Sequence, residues 1–190
     1  MNMNPLSELY ERVRHFASTR HGIFFMIFGP ALLGMPVALF LPENVLSSSP
    51  WLMLLTDFFG QHFPMIVRLS EPTDFPQVAK LFYTFMFLLI PLWFCGLFLL
   101  PDERIVPLEH HIKHKIRSPL IYFLLTFAFV YVELIPHVTQ PDMGGIMKLS
   151  KHSRLGLSIW GSLLMGGGVC LIYMIILWIK RIPKIYKFHN

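Results

Sequence analysis

Charge is what this sequence has least of. Lys, Arg, Asp and Glu make up 14% of its residues, against 54% hydrophobic, where a soluble domain carries about a quarter charged residues. The deficit is concentrated in four long stretches with little or no charge. That pattern excludes an ordinary soluble fold and selects the membrane class. What lies between the stretches comes in pieces of roughly forty residues or fewer, too short to bury a core of their own. One all-α membrane domain over residues 1–190 is expected, with no separate globular unit.

Cysteine is nearly absent too. Cys95 and Cys170 both fall in apolar stretches, where they read as small buried hydrophobes. With no Cys-x-x-Cys there is no disulfide framework. The cysteine pairs of four-span quinone-linked thiol oxidases are also missing.

Ionisable residues are absent from the middle of every apolar stretch. Charge inside a bilayer is costly and kept only for use, so an intramembrane enzyme or transporter is disfavoured. The arginines that glutathione-using four-span enzymes carry in or beside their helices are not here either. No catalytic residue, metal or cofactor is expected.

What is present is a set of four spans. The first runs from Gly22 to Leu41, with Pro30 and Pro36 expected to kink it. It is longer than a signal-peptide core, and Pro42-Glu43-Asn44 follows where a small-residue cleavage site would be needed, so an uncleaved anchor is expected. The second is 81–100, with Pro91 in its middle. The third is 119–136, with Glu133 near one end, and the fourth is 155–179. Stretches of this length cross roughly 30 Å of hydrocarbon as helices.

Lys and Arg set the orientation. Arg12, Arg14, Arg20, Arg104, Lys113, Lys115, Arg117, Lys180, Arg181, Lys184 and Lys187 fall on one side. Only Arg68, Lys80, Lys148, Lys151 and Arg154 fall on the other. Positive flanks stay in the cytoplasm, so both termini and the 101–118 loop are expected inside a bacterial inner membrane. Positive charge arranged this way serves orientation, and no direct nucleic-acid binding is expected. Trp160 and Trp178 are placed to anchor the fourth span at its two interfaces.

The flanking segments carry their own patterns. Leu6, Leu9, Val13 and Phe16 recur at helical spacing before the first span, which predicts an amphipathic helix on the inner leaflet. The 43–80 loop opens with Ser-Ser-Ser-Pro, a helix start, and continues WLMLLTDFFGQHFPMIVRL. Its apolar runs are too short to span, so an interfacial or re-entrant helix pair broken at Gly60 and Pro64 is expected on the outer face. Trp51, Asp57, Phe58, Phe59, His62 and Arg68 are the outward residues available for sensing, if the loop is more than a lid. The same loop is net acidic, and the opposing outer loop holds Lys148, Lys151 and Arg154, which predicts pairing between the two.

His110 and His114 are four apart, as metal-binding pairs on a helix are. Lys113, Lys115 and Arg117 crowd them and would repel a cation, so the inner loop reads as a pH-sensitive basic docking surface. In the fourth span Ser158, Ser162 and Gly166 recur every four residues, with Gly167 following. Small residues at that spacing let helices approach closely in lipid, either within one chain or between copies.

Four spans, cytoplasmic ends, a long amphipathic first outer loop and short basic inner segments resemble two families. One is the small membrane subunit of the Kiwa anti-phage system, whose tetramers hold a cytoplasmic DNA-binding partner. The other is the immunity proteins against pore-forming colicins, which meet the toxin's pore domain inside the membrane. The Kiwa resemblance implies a homo-oligomer that senses infection at the outer face and holds a cytoplasmic protein partner. Docking would then fall to Arg12, Arg14, Glu109, His110, His111, Lys113, His114, Lys115, Arg117, Lys180, Arg181 and Lys184. The colicin resemblance implies a monomer acting on a toxin helix hairpin. A small channel or transporter is the third class, with Thr84, Thr126, Ser158 and Ser162 the available polar lining.

Overall fold

In a computed structural model of the chain, the described residues are 5–100, 113, 117–128 and 146–187. Among them the protein is helical, with no strand. This is the expected outcome for apolar segments in lipid, where a helix satisfies its own backbone.

The elements are α1 (Pro5–Ser18), α2 (Arg20–Phe40), α3 (Val45–Ser48), α4 (Pro50–His62), α5 (Pro64–Ser70), α6 (Pro76–Leu99), α7 (Arg117–Ala128) and α8 (Ile146–His152). A last continuous helix, α9, comprises Arg154–Gly156, a π-helical turn Leu157–Gly161, and Ser162–Lys187. Proline punctuates the chain. Pro50, Pro64 and Pro76 each occupy the first turn of a helix, where a missing N–H leaves no bond unmade. Thr19 caps α2 by accepting from the Gly22 amide at 3.0 Å.

Among the described residues, three helices are long and apolar enough to cross a membrane: His21–Phe40, Pro76–Leu99 and Arg154–Pro183. The second starts earlier than the apolar run suggested, because its polar first turn has partners in the α3–α5 segment. Of the expected third span, residues 119–128 are described, and they form the apolar part of α7. Glu133 and the remainder of that stretch lie outside the described residues.

The core is a three-helix seam. α2 lies along α6, and α9 packs on both. Small residues set how closely they approach. A Cβ on Gly34 would meet Met86, one on Gly96 would meet Met26, and one on Gly161 would meet Phe82. Pro30 leaves the Met26 carbonyl without its helical donor, and Gly96 packs directly over that carbonyl. Trp93 is fully buried and donates from Nε1 to the Ile27 carbonyl at 2.7 Å. α7 packs on α9 and leaves Leu120, Phe123, Leu124 and Phe127 exposed.

Helices α3, α4 and α5 form a cap against the N-terminal half of α6. Gly60 does not break α4, contrary to the expectation from sequence. It is buried within the helix, where a side chain would collide with Val67. The break falls at Phe63–Pro64, where the pre-proline residue leaves the helical region, at φ −127° and ψ 78°.

Candidate functional site

The polar chemistry of the described residues gathers at the cap end of the bundle. Gln77, in the first turn of α6, turns its Oε1 onto the Leu46 and Ser47 amides at 3.0 and 3.1 Å, and its Nε2 donates to Ser47 Oγ at 2.8 Å. One side-chain oxygen thereby accepts from two of the open N–H groups at the start of α3. Lys80, one turn further along, donates to Asp57 of α4 at 2.5 Å. That pair is partly shielded from water, which makes it stronger than an open surface pair.

A second clasp joins the cap to α9. Arg154 donates from Nη1 to the Leu41 carbonyl at 2.6 Å, reaches Glu43 at 3.4 Å, and lies over the Phe75 ring at 6.0 Å. The Asp74 amide donates to the Lys151 carbonyl at 3.0 Å, and the Asp74 carboxylate meets His152 Nδ1 at the same distance. The expected acidic-to-basic pairing of these two segments is present in Glu43–Arg154 and Asp74–His152. Asp57 instead pairs with Lys80, on its own side.

The six residues nominated for sensing divide. Trp51 is 66% and Phe58 55% exposed, and both lie on one stripe of α4 with Leu54, which is 72% exposed. Leu54 was missed by sequence reasoning. Once the helix starts at Pro50, the three-and-four spacing from Trp51 would have found it. His62 continues the stripe, its ring 4.4 Å from Phe58 and its Nδ1 2.8 Å from the Phe58 carbonyl. Phe59 points the other way, stacking on Phe63, which in turn meets Phe87 of α6. Arg68 is exposed on α5.

The residues nominated for oligomer packing lie largely inside the single chain. Ser158, Ser162 and Gly166 are buried, and Gly167 is half-buried. Ser162 Oγ points at the Ala31 carbonyl of α2 at 3.5 Å. A Cβ on Gly166 would come within 2.7 Å of Trp93 of α6. The close approach these small residues permit is therefore taken up by the chain's own helices.

The described members of the docking set fall on several elements. Arg12 is exposed and pairs with Glu8 one turn back, and Lys113, Arg117 and Lys180 are exposed. Arg181 is buried, at 2% exposure, because it sits on the inward face of α9 and not on a free tail. Arg14 belongs to α1 and Lys184 to α9. Glu109, His110, His111, His114 and Lys115 lie outside the described residues. Cys170 is partly buried, whereas Cys95 is exposed, because it lines an open apolar groove between α2 and α6 with Phe25, Gly29, Leu33 and Leu92.

No protein-family model, no curated protein and no solved structure matches this chain.

Proposed function

We propose that the protein is a non-enzymatic subunit of a bacterial inner membrane. In this reading the cap end faces outward, α4 meets the outer leaflet, and the opposite end holds a cytoplasmic protein partner. The observation that carries it is the state of α4. Its Trp51–Leu54–Phe58 stripe is open, while its other side is held to α6 by the Asp57–Lys80 pair. A helix built this way registers changes in the surrounding leaflet or an arriving molecule. Because it is tied to α6, such a change is passed to a helix long enough to reach the other side. The excess of Lys and Arg at the opposite end supports the orientation. The uncharged interior of the spans supports a role without chemistry. Phage defence is the setting this reading favours.

A homo-oligomer in this reading uses a surface other than the Ser158–Ser162–Gly166 seam. The open faces are α7 and the α2–α6 groove. The same seam favours the second reading, a colicin-type immunity protein working as a monomer, because the small-residue face closes inside one chain.

Challenge experiments separate the two. Cells carrying the chain with its genomic neighbours are exposed to a phage panel and to pore-forming colicins. Phage protection that needs both this chain and a soluble neighbour supports the anchor. Protection from a toxin by this chain alone moves the assignment to the immunity reading. Protection from neither removes both.

A further inference from the structure

The cap borders an open cleft of about 300 Å³ whose lining carries both signs of charge. Asp57 of α4, Glu71 at the end of α5 and Lys80 of α6 open into it, with Ser47 and Ser70 beside them. Leu46, Met53, Val67 and Pro76 supply apolar wall.

Part of the bonding capacity here is unspent. Lys80 gives one of its three N–H donors to Asp57. The Glu71 carboxylate is exposed and has no ion-pair partner among the described residues. A free metal cation would be opposed by Lys80, and a simple anion by Asp57 and Glu71. A ligand that satisfies the cleft must bring an anionic group for Lys80 and an ammonium for the carboxylates. We propose that this cleft binds the zwitterionic head of a phospholipid carrying a primary ammonium next to a phosphate, the phosphoethanolamine type.

Two features favour a lipid over a free zwitterion of the same chemistry. Lys80 lies one turn inside a helix long and apolar enough to span a bilayer, the depth at which phosphates lie. The exposed Trp51–Leu54–Phe58 stripe of α4 beside the cleft is apolar surface that acyl chains of the same leaflet would cover. The assignment needs only this end of the bundle to lie at a leaflet surface. It does not rest on the outward orientation or on the partner-holding role.

The test uses the full chain in nanodiscs of phosphatidylcholine alone, or of phosphatidylcholine with either phosphatidylethanolamine or phosphatidylglycerol, with thermal unfolding as readout. Phosphatidylethanolamine should raise the midpoint by about 3 °C or more, as a ligand bound only by the folded state does. Phosphatidylglycerol should not. Glu71→Gln should abolish the rise while leaving the midpoint in phosphatidylcholine unchanged, since Glu71 is exposed and makes no ion pair among the described residues. Phosphatidylethanolamine should also be retained about tenfold less by this variant in native mass spectra, the loss expected for one charge-assisted contact. A rise that persists in Glu71→Gln, or no rise at all, overturns the proposal. Stabilisation by dissolved phosphoethanolamine in discs where the lipid has no effect overturns the lipid source.

Discussion

Gly166 of α9 and Trp93 of α6 meet so closely that a single added carbon would stand 2.7 Å from the Trp93 ring. The same indole donates its N–H to the Ile27 carbonyl of α2 at 2.7 Å. Three helices are thus fastened at one residue.

Gly166→Ala should therefore be destabilising, although alanine is the better helix former. The Trp93 ring is fully buried and held by its hydrogen bond, so it has no open space to yield into. Overpacking of this kind costs about 1–3 kcal/mol, and Gly166→Leu should cost more. Thermal unfolding in mild detergent measures both. If the particle also falls to a smaller assembly while the fold survives, the face serves copies as well as the monomer.

Trp93→Phe keeps most of the ring and removes the donor. The Ile27 carbonyl then keeps only its backbone bond, and the expected loss is about 1 kcal/mol. A loss near zero would mean the Trp93 contact contributes packing alone.

Arg154→Gln should loosen the cap more than Glu43→Gln does. Arg154 holds the Leu41 carbonyl at 2.6 Å and covers Phe75, while its Glu43 contact is 3.4 Å long and largely open to water. Exposed pairs contribute about 0–1 kcal/mol, so the second substitution should be nearly silent. Hydrogen exchange across residues 41–75 reads the difference, with faster exchange expected for Arg154→Gln alone.

Asp57→Asn and Lys80→Met should each destabilise the packing of α4 on α6. Together they should cost less than the sum, with a coupling of roughly 0.5–3 kcal/mol in a double-mutant cycle. Additive losses would show that the pair contributes no mutual interaction.

Trp51 should report acyl chains. In nanodiscs with brominated lipid its fluorescence should be quenched, measured in a chain whose other tryptophans are replaced by phenylalanine. Absence of quenching would place the α4 stripe in water or against protein and remove the basis for its reading as a leaflet-contacting helix.

Much of this fold was legible in the linear pattern. The uncharged runs near 22–41, 81–100 and 155–179 coincide with the three span-length helices, because in lipid a long apolar run has no alternative to satisfying its own backbone. The helix start after Ser49 was legible for a similarly local reason, the fixed backbone of Pro50. The acidic and basic character of the two cap-end segments foretold Glu43–Arg154.

Side-chain destinations were not legible. Ser162 and Gly166 offer the same small surface whether the approaching helix belongs to this chain or to a copy. Only the tertiary arrangement gives that surface to α2 and Trp93. Gly60 looked like a breaker because glycine is a poor helix former. What places it inside α4 is space, since Val67 occupies the volume a side chain would need. Arg181 looked like a free basic tail, and the face of α9 on which it falls decided otherwise. Transfer into lipid depends on the length and composition of a segment, so the sequence by itself determined 22–41, 81–100 and 155–179 as helices long and apolar enough to span. Contact between helices depends on shape across distant residues, and only the folded chain decides it.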